Sequence, residues 1–188
     1  MSFTLCIHLP IFSSLVAPKD TIGASLINFC YIIMDMADIP PNVEQSPNAT
    51  MRKFGAPETC IRNYRYWTVL LRPAQATLGS LVLAAYEPAR ALSELSRESF
   101  NELGQVLREI EQSLARAFNF DKINYLCLMM VDPDVHIHVI PRYASERSFD
   151  GVRFTDPGWP GVPDLSRKNE VADTTMQRIL GHIRAGWK

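Results

Sequence analysis

The stretch "VDPDVHIHVIPRY" (residues 131–143) places two of the chain's four histidines two residues apart, in an apolar run ending at Pro141 and Arg142. In an extended strand successive side chains point to opposite faces. Val135, Ile137 and Val139 then share a side that can bury, while Asp134, His136 and His138 share the other. The strand rise spaces that row at about 6.5–7 Å between successive Cα atoms. Asp132-Pro133 makes a tight break before the strand, and Arg142 continues the even-numbered positions after it.

The elements around this strand follow from periodicity. Upstream, "KINYLCLMMV" (residues 122–131) is almost continuously apolar and predicts a central strand. Before it, Phe100, Leu103, Val106, Leu107, Ile110, Leu114 and Phe118 recur at helical spacing. They predict one long helix over about 97–118, with Ser96 as N-cap and Glu98 in the dipole-favoured first turn. Earlier still, "NYRYWTVLL" (63–71) and "SLVLAAY" (80–86) read as strands, joined by the loop "RPAQATLG" as an antiparallel pair. Downstream of the histidines lies a segment rich in glycine and proline, and then a last helix over about 169–186.

Bulk properties bound the function. The 188 residues are 47% hydrophobic and 21% charged, with a formal charge of −1, enough apolar material for one sizeable core. The balance offers no basic excess for polymeric nucleic acid, though mononucleotides remain possible. Cys6, Cys30, Cys60 and Cys127 form no CxxC pair and read as reduced thiols of a cytoplasmic protein. The apolar runs near the N-terminus are too short to span a bilayer. After them, "DIPPNVEQSPNAT" reads as a linker leading to Met51. The expected organisation is a poorly ordered extension over 1–50, a domain over 51–165 and a C-terminal helix over 166–188.

Three readings of the Asp–His–His row compete. It can be the wet face of an amphipathic strand. It can be half of a metal site, although His8 and His182 lie in peripheral segments and no Cys or Glu cluster completes it. Or it can be a catalytic group acting on phosphorus. There, one neutral imidazole attacks a phosphoryl group, the second donates to the non-bridging oxygens, and Arg142 contacts the anion.

These residues resemble the motif of the histidine triad (HIT) family, His-φ-His-φ-His-φ-φ with φ apolar. "DVHIHVI" matches it at every place except the first, where Asp134 stands for histidine. The following Pro141-Arg142 is similar to the ending found in the fragile-histidine-triad and diadenosine-polyphosphate hydrolase branches. The order strand, loop, glycine, strand, long helix, strand, motif strand also matches, over about residues 63–143.

The resemblance implies an α+β fold: an antiparallel sheet of about five strands, a long helix packed on it, and a C-terminal helix. It implies a homodimer that hydrolyses or transfers nucleotides at the α-phosphate. His136 would be the nucleophile and His138 the phosphate contact. No metal is built in, although magnesium can arrive with the substrate. Arg142, Arg72, Asn124 and Ser80 are the candidate substrate contacts. Ser80 stands where several branches carry a further histidine, and Arg72 lies near the place of a ribose-binding asparagine. Asp134 has two readings, one in which its carboxylate orients or partly protonates an imidazole and one in which its charge repels the substrate. The rival function is a nucleotide-binding module of the same fold without turnover. Trp159 either stacks on a base or plugs a turn.

Overall fold

The structure, a computed structural model, describes residues 45–187. A five-residue helix α1 (Ala49–Lys53) leads into strands β1 (Cys60–Asn63), β2 (Trp67–Leu71) and β3 (Leu81–Ala85). The long helix α2 (Arg97–Phe118) follows, then β4 (Lys122–Leu126) and β5 (His136–Arg142). A small hairpin, β6 (Arg147–Phe149) with β7 (Val152–Phe154), and helix α3 (Asp173–Gly186) complete it. The five-stranded sheet runs β1-β2-β3-β5-β4, with every neighbouring pair antiparallel. This is the expected α+β architecture.

The two faces of the sheet bury different partners. Val69, Leu71, Leu81, Leu83, Val135, Ile137 and Val139 face α2 and α3, meeting Val106, Ile110, Leu114, Ile179 and Ile183 in the main core. The opposite face carries Leu70, Val82 and Ala84, covered by Met51 and Phe54 in a second, smaller core. The odd-numbered residues of β5 thus bury against helices as their alternation predicts, and the histidines lie on the second face.

Helix α2 has the predicted bounds. Ser96 Oγ accepts from the Ser99 N–H at 3.1 Å, and Asn119 ends the helix in the left-handed region at φ 47°. Gly79 is required just before β3. Its φ is +77°, and a Cβ there would stand 2.7 Å from the Phe118 ring at the end of α2.

Four expectations change. The strand over 63–71 is instead a tight hairpin, β1 and β2, closed by the Tyr64 N–H on Trp67 O at 2.8 Å. Glu102 of α2 holds that turn, accepting from the Arg65 and Tyr66 N–H groups at 3.0 and 2.7 Å. β4 ends at Leu126 and lies at the sheet edge, while β5 takes the interior place between β3 and β4. The rest of the apolar run leaves the sheet, with Met130 88% and Val131 82% exposed. Finally, residues 45–50 are not loose. Asn48 caps α1, and Thr50 and Met51 are buried. The expectation for residues 1–44 lies outside the described residues. Helix α3 packs on α2 within the same compact unit. Among the described residues no helix is long and apolar enough to cross a membrane.

Candidate active site

β5 sets both imidazoles on one face of the sheet. Their ring centroids are 5.0 Å apart and nearly perpendicular. His136 is fully buried and His138 is 7% exposed. Their cross-strand neighbours on β3 are small or aliphatic, Ala84 opposite His136 and Val82 opposite His138, which leaves the rings room to stand up from the sheet.

The local backbone fixes one tautomer. His136 Nδ1 lies 2.8 Å from the carbonyl oxygen of Asp134, and a carbonyl only accepts, so Nδ1 carries the proton. The lone pair is then on Nε2. That atom is buried and has no hydrogen-bond partner. Nδ1 of His138 and Nε of Arg72 share this condition. Arg72 continues the parity of Leu70 on the histidine face. Its charge lowers the proton affinity of His138, and its own pKa is lowered by burial. These three nitrogens are the buried side-chain polar atoms without partners among the described residues. Groups of this kind are costly to leave unsatisfied.

His138 is held neutral. Burial first, then the neighbouring His136 and Arg72, push its pKa down to about 4, against the opposing pull of Asp132. An unfolded imidazole titrates near 6.5. Between those values the unfolded chain binds a proton that the folded chain refuses. Stability therefore falls as pH drops from about 6.5 to about 4, by up to about 3 kcal/mol. Urea titrations across this window should show that loss in the native chain, and His138→Gln should flatten it.

The other candidates have different work. The Asp134 carboxylate accepts from Thr50 Oγ1 at 2.8 Å and from the Thr50 N–H at 3.3 Å, on the helix that covers the imidazoles. The group that orients His136 is the Asp134 carbonyl, not the carboxylate. Arg142 is not free for an anion. It is paired with Asp156 through Nε at 2.6 Å and Nη2 at 3.2 Å, and Nη1 donates to Asn124 Oδ1 and Gly161 O. Asn124 is thereby an Arg142 acceptor on β4, opposite Ile140 and so two strand positions from His138 and four from His136. Ser80 is fully buried in the turn before β3, its hydroxyl donating to Thr77 O and accepting from the Thr77 N–H. Trp159 partly lines a cleft of about 380 Å³ with Lys122, Asn124 and Arg142, at the β4 edge.

Three participants carried no signal in the sequence reading. Phe54 packs on both imidazoles, its ring centroid 5.6 Å from each. Gln75 is buried in the Arg72–Ser80 loop. Its Nε2 donates to Arg72 O and Ser80 O, and its Oε1 accepts from the Gly79 and Ser80 N–H groups, so it fixes the loop that aims Arg72. Asp156 neutralises Arg142. Among the described residues no group of three or more His, Cys, Asp or Glu side chains gathers as a metal site requires.

By sequence, no family model and no curated protein matches the chain. Solved structures match it by shape. A histidine triad protein from Sinorhizobium meliloti 1021 superposes with a TM-score of 0.60 at 19% identity, over 75% of this chain and 96% of that one. One from Bradyrhizobium japonicum gives 0.56 at 17% identity, over 76% and 98%. A histidine triad nucleotide-binding protein from Sulfolobus tokodaii strain7 gives 0.53 at 14% identity, over 68% and 82%. The fold is therefore that of the histidine triad proteins.

Proposed function

We propose that this chain binds a nucleotide and acts at its α-phosphate, as a hydrolase or nucleotidyl transferase working through His136. The observation that carries this reading is the pair of imidazoles on one face, with His136 Nε2 and His138 Nδ1 buried and without partners, together with Arg72, whose Nη1 donates to Ala74 O, whose Nε is likewise without a partner and whose charge acts on His138. One lone pair beside a guanidinium and a second imidazole suits a phosphoryl group, whose oxygens would satisfy the donors.

In the proposed reaction the His136 Nε2 lone pair attacks the α-phosphorus of a nucleoside polyphosphate or phosphoramidate. A P–N bond forms, and the bond to the leaving group breaks with its electron pair. The leaving group takes a proton from solvent water, and the attack of water in the second step returns one to solvent. Water then attacks the nucleotidyl-histidine, releasing the nucleoside monophosphate and restoring the imidazole. The Asp134 carbonyl keeps Nδ1 protonated and stabilises the positive charge that develops on the ring. His138, neutral at pH 7, donates to the phosphate, and an arriving anion raises its affinity for a proton.

The base has a place on the same face. A cleft of about 150 Å³ is lined by the apolar Met51 and Leu70, by Tyr86, and by the polar Gln45, Asn63 and Thr68. Thr68 pairs with Ala84, which pairs with His136, so two strand spacings, about 10 Å, separate cleft and nucleophile. Mixing the protein with an adenosine phosphoramidate and quenching within milliseconds is expected to leave a nucleotidyl group on His136, located by peptide mass spectrometry. No adduct and no released nucleoside monophosphate across the four bases would remove the reading.

One observation favours binding without turnover. The Asp134 carboxylate is committed to Thr50 and supplies no acid to a leaving group. Calorimetric binding of a nucleoside monophosphate together with absence of an adduct would select that alternative. Magnesium, where used, would enter with the nucleotide.

We also propose a homodimer. The outer edge of β4 is unpaired among the described strands, and Leu128, Met130 and Val131 expose apolar surface beside it. Light scattering should return twice the chain mass. The free thiols of Cys60 and Cys127 suit a reducing, cytoplasmic setting.

A further inference from the structure

The imidazole pair is covered, and its cover is a short strap. Helix α1 has five residues, too few to hold a helix in water by itself. What holds it is the burial of Met51 and Phe54 on the second face of the sheet, together with polar fastenings to β3 and to the segment leading into β5. The Asp134 carboxylate accepts from the Thr50 N–H and hydroxyl. Lys53 Nζ pairs with Asp132 at 2.5 Å. Asn48 Nδ2 donates to Ala85 O at 3.1 Å, while its Oδ1 caps the helix at the Met51 N–H.

At the end of the strap stands Phe54. Its ring packs tilted on His136 and edge-on to His138. A phenyl ring cannot satisfy a lone pair, and the nitrogens it helps cover are the ones left without partners. Gly55 follows at φ +85°, a conformation that an L side chain rarely adopts, so the backbone turns sharply just behind the ring.

We propose that residues 48–54 are a gate. Phe54 occupies the approach to His136 Nε2, and Asp134 and Asp132 latch the strap shut through Thr50 and Lys53. On this account Asp134 is a positioning residue twice over. Its carbonyl holds the nucleophile, and its carboxylate holds the cover. A phosphoryl group reaches His136 only when the strap lifts about Gly55 and carries Phe54 away. This deepens the proposed function and rests on it for the identity of what enters. The closure itself does not depend on that identity.

The test is labelling of the full chain with diethyl pyrocarbonate at pH 7, followed residue by residue by mass spectrometry. Nα-acetylhistidine serves as the free reference and the exposed His182 as the internal control. In the native chain His136 should react more slowly than the reference by about tenfold or more, as protection by a local opening equilibrium requires. Thr50→Val removes one hydrogen bond to a carboxylate and should speed that labelling by roughly fivefold. Lys53→Ala should speed it by a smaller factor, and Phe54→Ala should bring it near the reference rate. The His182 rate reports the activity of the reagent and should not move in any variant, and an unchanged urea midpoint of each variant separates gate opening from general unfolding.

Labelling of native His136 at the reference rate would overturn the gate, as would latch variants that leave protection unchanged. Nucleotide turnover measured on the same variants separates the two proposals. Faster labelling with faster turnover supports both. Faster labelling without turnover supports the gate and removes the substrate. Reference-rate labelling that a nucleoside monophosphate suppresses overturns the gate and keeps the substrate.

Discussion

Replacing His136 by alanine is expected to lower nucleotide turnover by on the order of 10⁴-fold or more, the scale seen when a nucleophile is removed from a catalytic unit. The argument rests on the ring's two nitrogens. Nδ1 is committed to the Asp134 carbonyl at 2.8 Å, so in the neutral ring the lone pair is on Nε2. The other imidazole nitrogen without a partner, Nδ1 of His138, belongs to the ring on which the charge of Arg72 acts, and the proposed mechanism gives that ring the phosphate contact. The contrast with Asp134 sharpens the test. Its orienting group is a backbone carbonyl, which Asp134→Ala retains. The lost carboxylate had accepted from Thr50. That variant should keep turnover within about tenfold of the native chain, far from the loss caused by removing a general acid. Steady-state hydrolysis of a fluorogenic nucleoside phosphoramidate measures both. Full turnover by His136→Ala would end the mechanism. A loss in Asp134→Ala as deep as that in His136→Ala would show that the carboxylate, not the carbonyl, matters.

The fold was legible where the sequence obeys one period with clear ends. Helix α2 has both: an apolar stripe, Ser96 at one end, and Asn119 free to turn left-handed at the other. Strand β5 has strict alternation, and it sorted its faces as predicted. Legibility failed where neighbours, not local sequence, decide. The β1–β2 turn at Tyr64–Tyr66 contains no glycine or proline, because Glu102 supplies its hydrogen-bond partners from 36 and 37 residues away. An apolar run does not reveal whether it is buried, and β4 shows the consequence. Its continuous apolar character reads as a central strand, yet it lies at the edge and its extension is exposed. Phe100 fits the stripe of α2 and is nonetheless 45% exposed.

The site divides in the same way. His136 and His138 were legible because strand parity alone puts them together, and Arg72 lies on the same face by the same parity. The partners of Asp134 and Arg142 were not legible. Thr50 reaches Asp134 across 84 residues and Asp156 reaches Arg142 across 14, through loops with no periodicity to read. Two charges in an apparent catalytic row thus have protein partners, Thr50 for Asp134 and Asp156 for Arg142.

Asp156→Ala should therefore cost about 3–5 kcal/mol of stability, the penalty for leaving a buried charge without its partner. The Arg142 side chain is 3% exposed and that of Asp156 is 1% exposed, so water cannot replace the lost carboxylate. Asp156 also accepts from the Tyr143 and Gly158 N–H groups, at 3.2 Å each, and these would be left unpaired as well. Equilibrium unfolding in urea measures the effect as a lower midpoint with little change in slope. The double variant Arg142→Met with Asp156→Leu should recover most of the loss, because removing both charges removes the uncompensated one. The same pair decides what Arg142 is for. If its guanidinium holds the loop at Asp156, the double variant keeps its nucleotide KM within a few-fold while Asp156→Ala unfolds early. Should KM rise by a hundredfold in the stable double variant, Arg142 would be an anion contact after all, and the assignment of phosphate binding to Arg72 and His138 would fall with it.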